Sequence, residues 1–248
     1  SLTRPPAPVF DAQVAQVLAW AELRSERSPE VLAQIDNQYA FWGQVLPLQS
    51  GRMPRTLELV ELVVQFCVFV ESRFKYELNC RRPAEHSAQV QPMITTPGHG
   101  SLPSGHCTQS YAVAHVLARL LGISPPGAMS DPRDVQLQRL AARIATNRVV
   151  AGMHFPVDNL AGRLLGFTLG EYAMARFEPS TSAWNARRFD GALVPPSEAF
   201  DPVRQPLDSA PPPYYGPFDA GGARRFRPPS PILEWLWQRA YAECAHLR

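Results

Sequence analysis

The run from about Pro54 to Leu78 constrains this chain most. It reads as one long helix whose middle, Leu62-Val-Val-Gln-Phe-Cys-Val-Phe-Val70, is apolar on nearly every side. A helix that is hydrophobic all round is a buried one, so the pattern predicts the central member of a helical bundle. The apolar run is too short to span a bilayer, and Glu61 and Glu71 flank it. The expectation is a soluble protein with no transmembrane segment.

The rest of the first 176 residues also reads as helices. Apolar residues recur at helical spacing from Val14 to Leu23. Ser28-Pro29-Glu30 has the form of a helix start, with a cap, a proline at the first position and an acid for the dipole. That helix is expected to run through Ile35, Tyr39 and Trp42 to about Val45, before a break at Gln49-Ser50-Gly51. Residues 83–103, with four prolines and two glycines, read as an unusually long loop, and such loops are often functional. Further helices are expected from Ser104 to Leu121, after the Asp131-Pro132 cap, and from Val157 to Ala175, with a turn at Ser124–Gly127. No alternating strand pattern stands out. The fold class predicted is all-α, a helical bundle with an irregular Pro-rich C-terminal wrap. Twelve of the 26 prolines lie after Phe177, which divides the chain into a helical catalytic domain, 1–176, and an extension, 177–248. The extension is expected to pack on the same domain through a last helix, capped by Ser230-Pro231 and carrying Leu233, Trp235, Leu236 and Tyr241.

The formal net charge is only +2, from 24 basic and 22 acidic residues. No global field therefore calls for nucleic acid or an anionic surface as partner, and any anion chemistry must come from a local cluster. Cys67, Cys80, Cys107 and Cys244 form no Cys-x-x-Cys pair, which argues against a zinc site or a redox motif. A start at Ser1 without Met suggests a processed chain and leaves export open.

Three short segments carry chemistry. In Lys75-Tyr-Glu-Leu-Asn-Cys-Arg-Arg82-Pro83 the two cations lie seven residues apart, two helical turns, so one helix face can present both to a tetrahedral oxyanion. Alone, this is equally a solvated basic helix end. Pro103-Ser104-Gly105-His106 stands directly before a helix, whose N-terminal N–H groups suit an anion. Ser104 can donate a hydroxyl, Gly105 can let an oxyanion approach the backbone, and His106 can move protons. The plainer reading of Ser104 is a helix cap. In Arg148-Val-Val-Ala-Gly-Met-His154-Phe-Pro-Val-Asp158 the carboxylate lies one helical turn from the imidazole. It can fix the tautomer and leave the other nitrogen free to attack. A simple helical His-Asp pair would look the same. A metal site would need further ligands, for which only His86 and His99 lie in suitable loops.

Taken together and in this order, the segments resemble the phosphatidic acid phosphatase type 2 superfamily, which includes class A acid phosphatases and vanadium-dependent haloperoxidases. The signature is Lys-x6-Arg-Pro, Pro-Ser-Gly-His and Arg-x5-His-x3-Asp, and the resemblance covers about Lys75 to Gly162. Asn147 departs from the Ser that many members carry before the Arg, at the periphery of the motif. The resemblance implies that His154 attacks phosphorus to form a phosphohistidine, Asp158 orients it, and His106 protonates the leaving alcohol and then activates water. Lys75, Arg82, Ser104, Gly105 and Arg148 would hold the phosphate, with no metal. It also implies that vanadate, bound through His154, can turn the same pocket to halide oxidation by peroxide.

The short chain, the compact motif spacing and the His154-Phe-Pro-Val-Asp158 form resemble the phosphatases. His99, seven residues before His106, resembles a second histidine of algal bromoperoxidases and marks a possible second-shell or halide site, although a solvated loop residue is the simpler reading. Three functions are therefore carried forward: a metal-independent phosphatase, a vanadate-dependent haloperoxidase, and a non-catalytic module that captures phosphate or a phospholipid. The expected ligands are inorganic phosphate or vanadate, and the expected substrate is a phosphorylated small molecule or lipid. Tyr76, Met93, Ile94, Leu102 and Phe155 are candidates for an apolar mouth.

Overall fold

A computed structural model describes residues 1–36, 38–178, 181, 183–218, 224–225 and 230–248. The helices are α1 (Ala7–Trp20), α2 (Arg24–Ala33), α3 (Tyr39–Trp42), α4 (Pro54–Leu78), α5 (Pro83–His86), α6 (Gly105–Leu120), α7 (Pro132–Val150), α8 (Pro156–Phe177) and α9 (Pro231–Glu243). The molecule is a helical bundle, as the periodicity predicts. Among the described residues no helix is long and apolar enough to cross a membrane.

The central helix is α6, which packs against α4, α7 and α8. It is buried almost throughout, and many of its buried positions are small: Cys107, Ser110, Ala112, Ala114 and Ala118. Its closest partner, α8, carries Gly162, Gly166 and Gly170 at four-residue spacing, one stripe of the helix. A side-chain carbon at these positions would lie 2.8 Å from the Ser104 carbonyl oxygen, 2.5 Å from that of Thr108 and 2.8 Å from His115 Cβ. The glycine stripe thus lets the two helices approach backbone to backbone.

The expectation that α4 lies at the centre is corrected. Its inward face is Leu59, Val60, Val63, Cys67, Glu71 and Lys75, whereas Phe69 remains 61% exposed and Leu62 and Val68 also reach solvent. Leucine, valine and phenylalanine on all sides make α4 look central, while the smaller side chains of α6 conceal the better-packed helix.

Other boundaries differ from the sequence reading. Ser28-Pro29 does not start a helix. Both residues lie inside α2, where Ser28 Oγ donates to the Arg24 carbonyl. A cap-like hydroxyl can equally bond back to the preceding turn. The helix stops at Ala33 rather than near Val45, with α3 a separate turn; Asn37, within the expected helix, lies outside the described residues. The loop 83–103 opens with the short helix α5.

Five short strands accompany the helices of the all-α bundle among the described residues. β1 (Leu2–Thr3) pairs in parallel with β3 (Arg187–Asp190), which pairs antiparallel with β4 (Tyr215–Pro217), and β2 (Ala183–Trp184) pairs with β5 (Arg224–Arg225). Strands of two to four residues are too short to carry a readable alternation. The expectation of irregular structure at 179–180, 182, 219–223 and 226–229 falls outside the described residues.

The C-terminal helix α9 packs on α4 and α8 and caps α4 from a distance. Glu243 accepts hydrogen bonds from the Arg55 N–H (2.9 Å), the Thr56 N–H (2.8 Å) and Thr56 Oγ (2.8 Å). These N–H groups belong to the first turn, where no intrahelical acceptor exists and negative charge is favoured. Replacing Glu243 by Ala is expected to cost about 1–2 kcal/mol, the usual worth of a lost cap. Thermal unfolding followed by circular dichroism should show a midpoint lower by roughly 3–6 °C; an unchanged midpoint would show that the cap contributes nothing.

Candidate active site

The α4 helix ends because Asn79 adopts a left-handed conformation, φ 41° and ψ 49°, its N–H donating to the Lys75 carbonyl at 3.1 Å. Lys75 and Arg82 are therefore not two turns of one helix, as their spacing suggested. Lys75 sits in the last turn of α4, and Arg82 is the residue before α5. They converge because the loop ahead of α6 folds back over the end of α4. A side-chain carbon at Gly100 would lie 2.6 Å from the Lys75 carbonyl oxygen, so only glycine permits that return.

Three buried cations result. Lys75 Nζ donates to the carbonyls of Pro103 (2.6 Å), Ser101 (3.2 Å) and Gly100 (3.4 Å). Its three donors are thus committed to the loop, and it acts on the site as a charge and an anchor. Arg82 donates to the carbonyls of Met153 (2.9 Å), His99 (3.3 Å) and Gly100 (3.5 Å). Arg148 is 1% exposed, yet only its Nη2 is bonded, to the Val31 carbonyl (3.0 Å) and Gln34 Oε1 (3.2 Å). Its Nε and Nη1 are buried without a hydrogen-bond partner, as is Ser104 Oγ. Burying an ion costs several kcal/mol, and each hydrogen bond to a charged group returns about 1.5–3 kcal/mol. Three carbonyls offset that cost for Lys75; a half-bonded guanidinium leaves Arg148 short of acceptors. An anion with several oxygens would supply them.

The third segment behaves as its spacing predicts. His154 Nδ1 lies 3.1 Å from Asp158 Oδ2 and 3.3 Å from Ser101 Oγ. Asp158 Oδ2 also accepts from the Phe155 N–H (2.9 Å) and from Ser101 Oγ. With Nδ1 so committed, Nε2 is the nitrogen left for chemistry. Burial, then the charges of Lys75 and Arg82, hold the His154 imidazole well below its usual range. Burial raises Asp158 to about 6, against its hydrogen bonds and the cations. At neutral pH the pair is a neutral imidazole beside a carboxylate.

In the second segment the structure sets aside the plainer reading of Ser104 and places a neighbour beside Gly105. Ser104 precedes α6 but makes no side-chain cap. Gly105 leaves room for protein rather than for an oxyanion on its Cα side: a Cβ there would lie 2.6 Å from Glu71 Oε1. His106 Nε2 lies 2.7 Å from the Gln34 carbonyl. Burial and the Arg148 charge push His106 down to about 3. His99 is exposed, with its Nδ1 3.3 Å from Arg82 Nη2. Among the candidates for an apolar mouth, Leu102 and Phe155 are core residues and Tyr76 is solvent-exposed, whereas Met93 and Ile94 pack with Val31, Ala151 and Met153. Among the described residues no group of three His, Cys, Asp or Glu side chains is placed to hold a metal ion.

Four residues in the site escape sequence reasoning. Ser101 is an ordinary loop serine until the fold brings it to Asp158. Gln34 bonds Arg148 through its side chain and His106 through its carbonyl. Asn147, set at the edge of the motif by the sequence, is fully buried and donates to Gln34 Oε1 (3.0 Å) and Glu30 Oε1 (2.9 Å). It therefore supports the residue that touches two motif side chains. Glu71, seen as a charged flank of the apolar run, is buried beside Gly105; its spacing of four from Lys75 is the one signal that could have found it.

The PAP2 superfamily model matches residues 58–181, half of the chain. A vanadium-dependent bromoperoxidase of Ascophyllum nodosum is 32% identical over 124 residues, 40% of this chain and 22% of the relative. A decaprenylphosphoryl-5-phosphoribose phosphatase of Mycobacterium tuberculosis is 30% identical over 90 residues, 36% of this chain and 44% of the relative. The chain thus spans less than half the length of either curated relative. Among solved structures, a transmembrane PAP2-type phosphatidylglycerolphosphate phosphatase of Bacillus subtilis aligns with a TM-score of 0.45 at 18% identity, covering 66% of this chain and 83% of that one. With all three signature segments inside the matched region, the chain belongs to the PAP2 superfamily, a family of phosphatases and haloperoxidases.

Proposed function

We propose that this protein is a metal-independent phosphatase that hydrolyses a phosphomonoester, soluble or lipid-borne, through a phosphohistidine on His154. The observation that carries the reading is the neutral, buried His154, held at Nδ1 by Asp158 in the field of three cations, with Arg148 donors still unspent. In this reading Nε2 attacks phosphorus as the ester P–O bond breaks. The leaving oxygen takes a proton from His106 Nδ1, the nitrogen not engaged by Gln34. His106 then takes a proton from water, whose oxygen displaces His154 and releases phosphate. Arg148, with Lys75 and Arg82, stabilises the charge on the transferring group. Burial is the main cause that depresses His106, with the Arg148 and Lys75 charges adding to it; a bound phosphate dianion between those cations offsets their part and so raises the proton affinity of His106 in the direction that the step requires.

The same cradle fits vanadate, with His154 Nε2 as the ligand and the open Arg148 donors and Ser104 Oγ for its oxygens. Vanadate bound there would supply oxidation of halide by peroxide. His99 beside Arg82 is the specific observation that favours this second reading.

The purified protein is expected to hydrolyse p-nitrophenyl phosphate in chelator, with inhibition by vanadate. His154→Ala should lose turnover by on the order of 10⁶-fold, as removal of a nucleophile does. Vanadate-dependent bromination without hydrolysis would transfer the assignment to the second reading, and unchanged turnover in His154→Ala would remove both. Ser101→Ala tests the support of Asp158. Loss of one hydrogen bond, about 1.4 kcal/mol, predicts a roughly tenfold lower kcat with KM nearly constant; a rise in KM alone would place Ser101 in binding instead.

A further inference from the structure

The mechanism above makes no use of Glu71, a carboxylate that is 5% exposed and lies on the inner face of α4. Its seat is made by other residues. Gly105 lacks the side chain that would collide with Oε1, and Gln109, one turn further along α6, donates to the same oxygen at 3.1 Å. Oε2 is buried with no hydrogen-bond partner. A carboxylate so poorly bonded is costly to keep, so a nearby charge must account for it. Lys75 lies one helical turn ahead on the same face, at the favourable i, i+4 spacing. The other titratable neighbours are the thiols of Cys67 on α4 and Cys107 on α6, both buried and both pushed up by that burial, hence neutral.

We propose that Glu71 is a positioning residue for phosphoryl transfer: from its seat between α4 and α6 its carboxylate holds Lys75 as an ammonium against the Gly100–Pro103 loop. This rests on the phosphatase reading. The ammonium donates to three carbonyls of the segment that contains Ser101 and leads into Ser104. A neutral amine would lose both those charge-assisted bonds and the charge felt at His154. The electrostatics agree. Burial lowers Lys75 to about 8, with Glu71 the first influence opposing it, and burial raises Glu71 to about 7, with Lys75 the first influence opposing that. Removing the carboxylate would let Lys75 fall further, so the ammonium would be lost at a lower pH.

The test is the pH profile of kcat/KM for p-nitrophenyl phosphate from pH 5 to 9, wild type against Glu71→Gln. The alkaline limb is expected to move about one unit toward acid, which is roughly a fivefold loss near pH 8, about tenfold near pH 9 and little change near pH 6. A uniform loss at every pH, or an unmoved limb, would overturn the proposal, since a purely structural role lowers activity without shifting the limb. Should Glu71→Gln fail to fold by circular dichroism, Gln109→Ala carries the test. Loss of its donated hydrogen bond weakens the charged form of Glu71, so the limb should move the same way by less, and an unmoved limb overturns the idea. A wild-type protein without hydrolysis would sink the phosphatase reading instead. The same comparison is then made on inorganic phosphate binding by calorimetry, where an acid shift of the alkaline loss supports the role of Glu71 and identical profiles reject it.

Discussion

Three cations are buried around one histidine, and the surrounding structure is organised to tolerate them. Lys75, Arg82 and Arg148 are each at most 3% exposed, and the acids whose charge favours them are Glu71 and Asp158 for Lys75, Asp158 and Glu85 for Arg82, and Glu30 for Arg148. Backbone carbonyls make up much of the difference, from the loop ahead of α6, from Met153 and from the last turn of α2. Those carbonyls are on hand because the chain is irregular where the cations lie. A regular helix would have spent them internally. The long loop, the left-handed Asn79 and the early end of α2 therefore serve one electrostatic requirement.

The close approach of α6 and α8 sets the other half of the geometry. The glycine stripe on α8 brings the starts of the two helices together, and the Ser104 N–H donates to the Asp158 carbonyl at 3.0 Å. That contact ties the Pro-Ser-Gly-His segment to the His-Asp pair without side-chain involvement. A bulkier residue at Gly162 or Gly166 would separate the two segments.

Much of this was legible in the sequence. The helical class, the three segments, and the pairing of His154 with Asp158 follow from periodicity and from a spacing of four, which a helix converts directly into contact. What was not legible depends on turns and on packing. Lys75 and Arg82 meet through a loop that folds back, not through the helical repeat. Ser101, Gln34 and Asn147 carry no local signal because their roles are set by neighbours distant in sequence. Beside Gly105, where a side chain would stand, lies Glu71, and no pattern within α6 announces a carboxylate from α4. The rank of α4 and α6 in the bundle was inverted because hydrophobicity measures what a helix can bury, while small residues decide how closely others can approach.

Chemically, the site combines an imidazole kept neutral by burial and by the neighbouring cations with a guanidinium lacking acceptors. The proposed oxyanion would supply the acceptors that the guanidinium lacks. The most direct measurement is a crystal structure of the protein soaked with orthovanadate. The account predicts vanadium bonded to His154 Nε2 with its oxygens on Arg148 and Ser104. Vanadate bound elsewhere, or His154 turned away from a filled site, would contradict it.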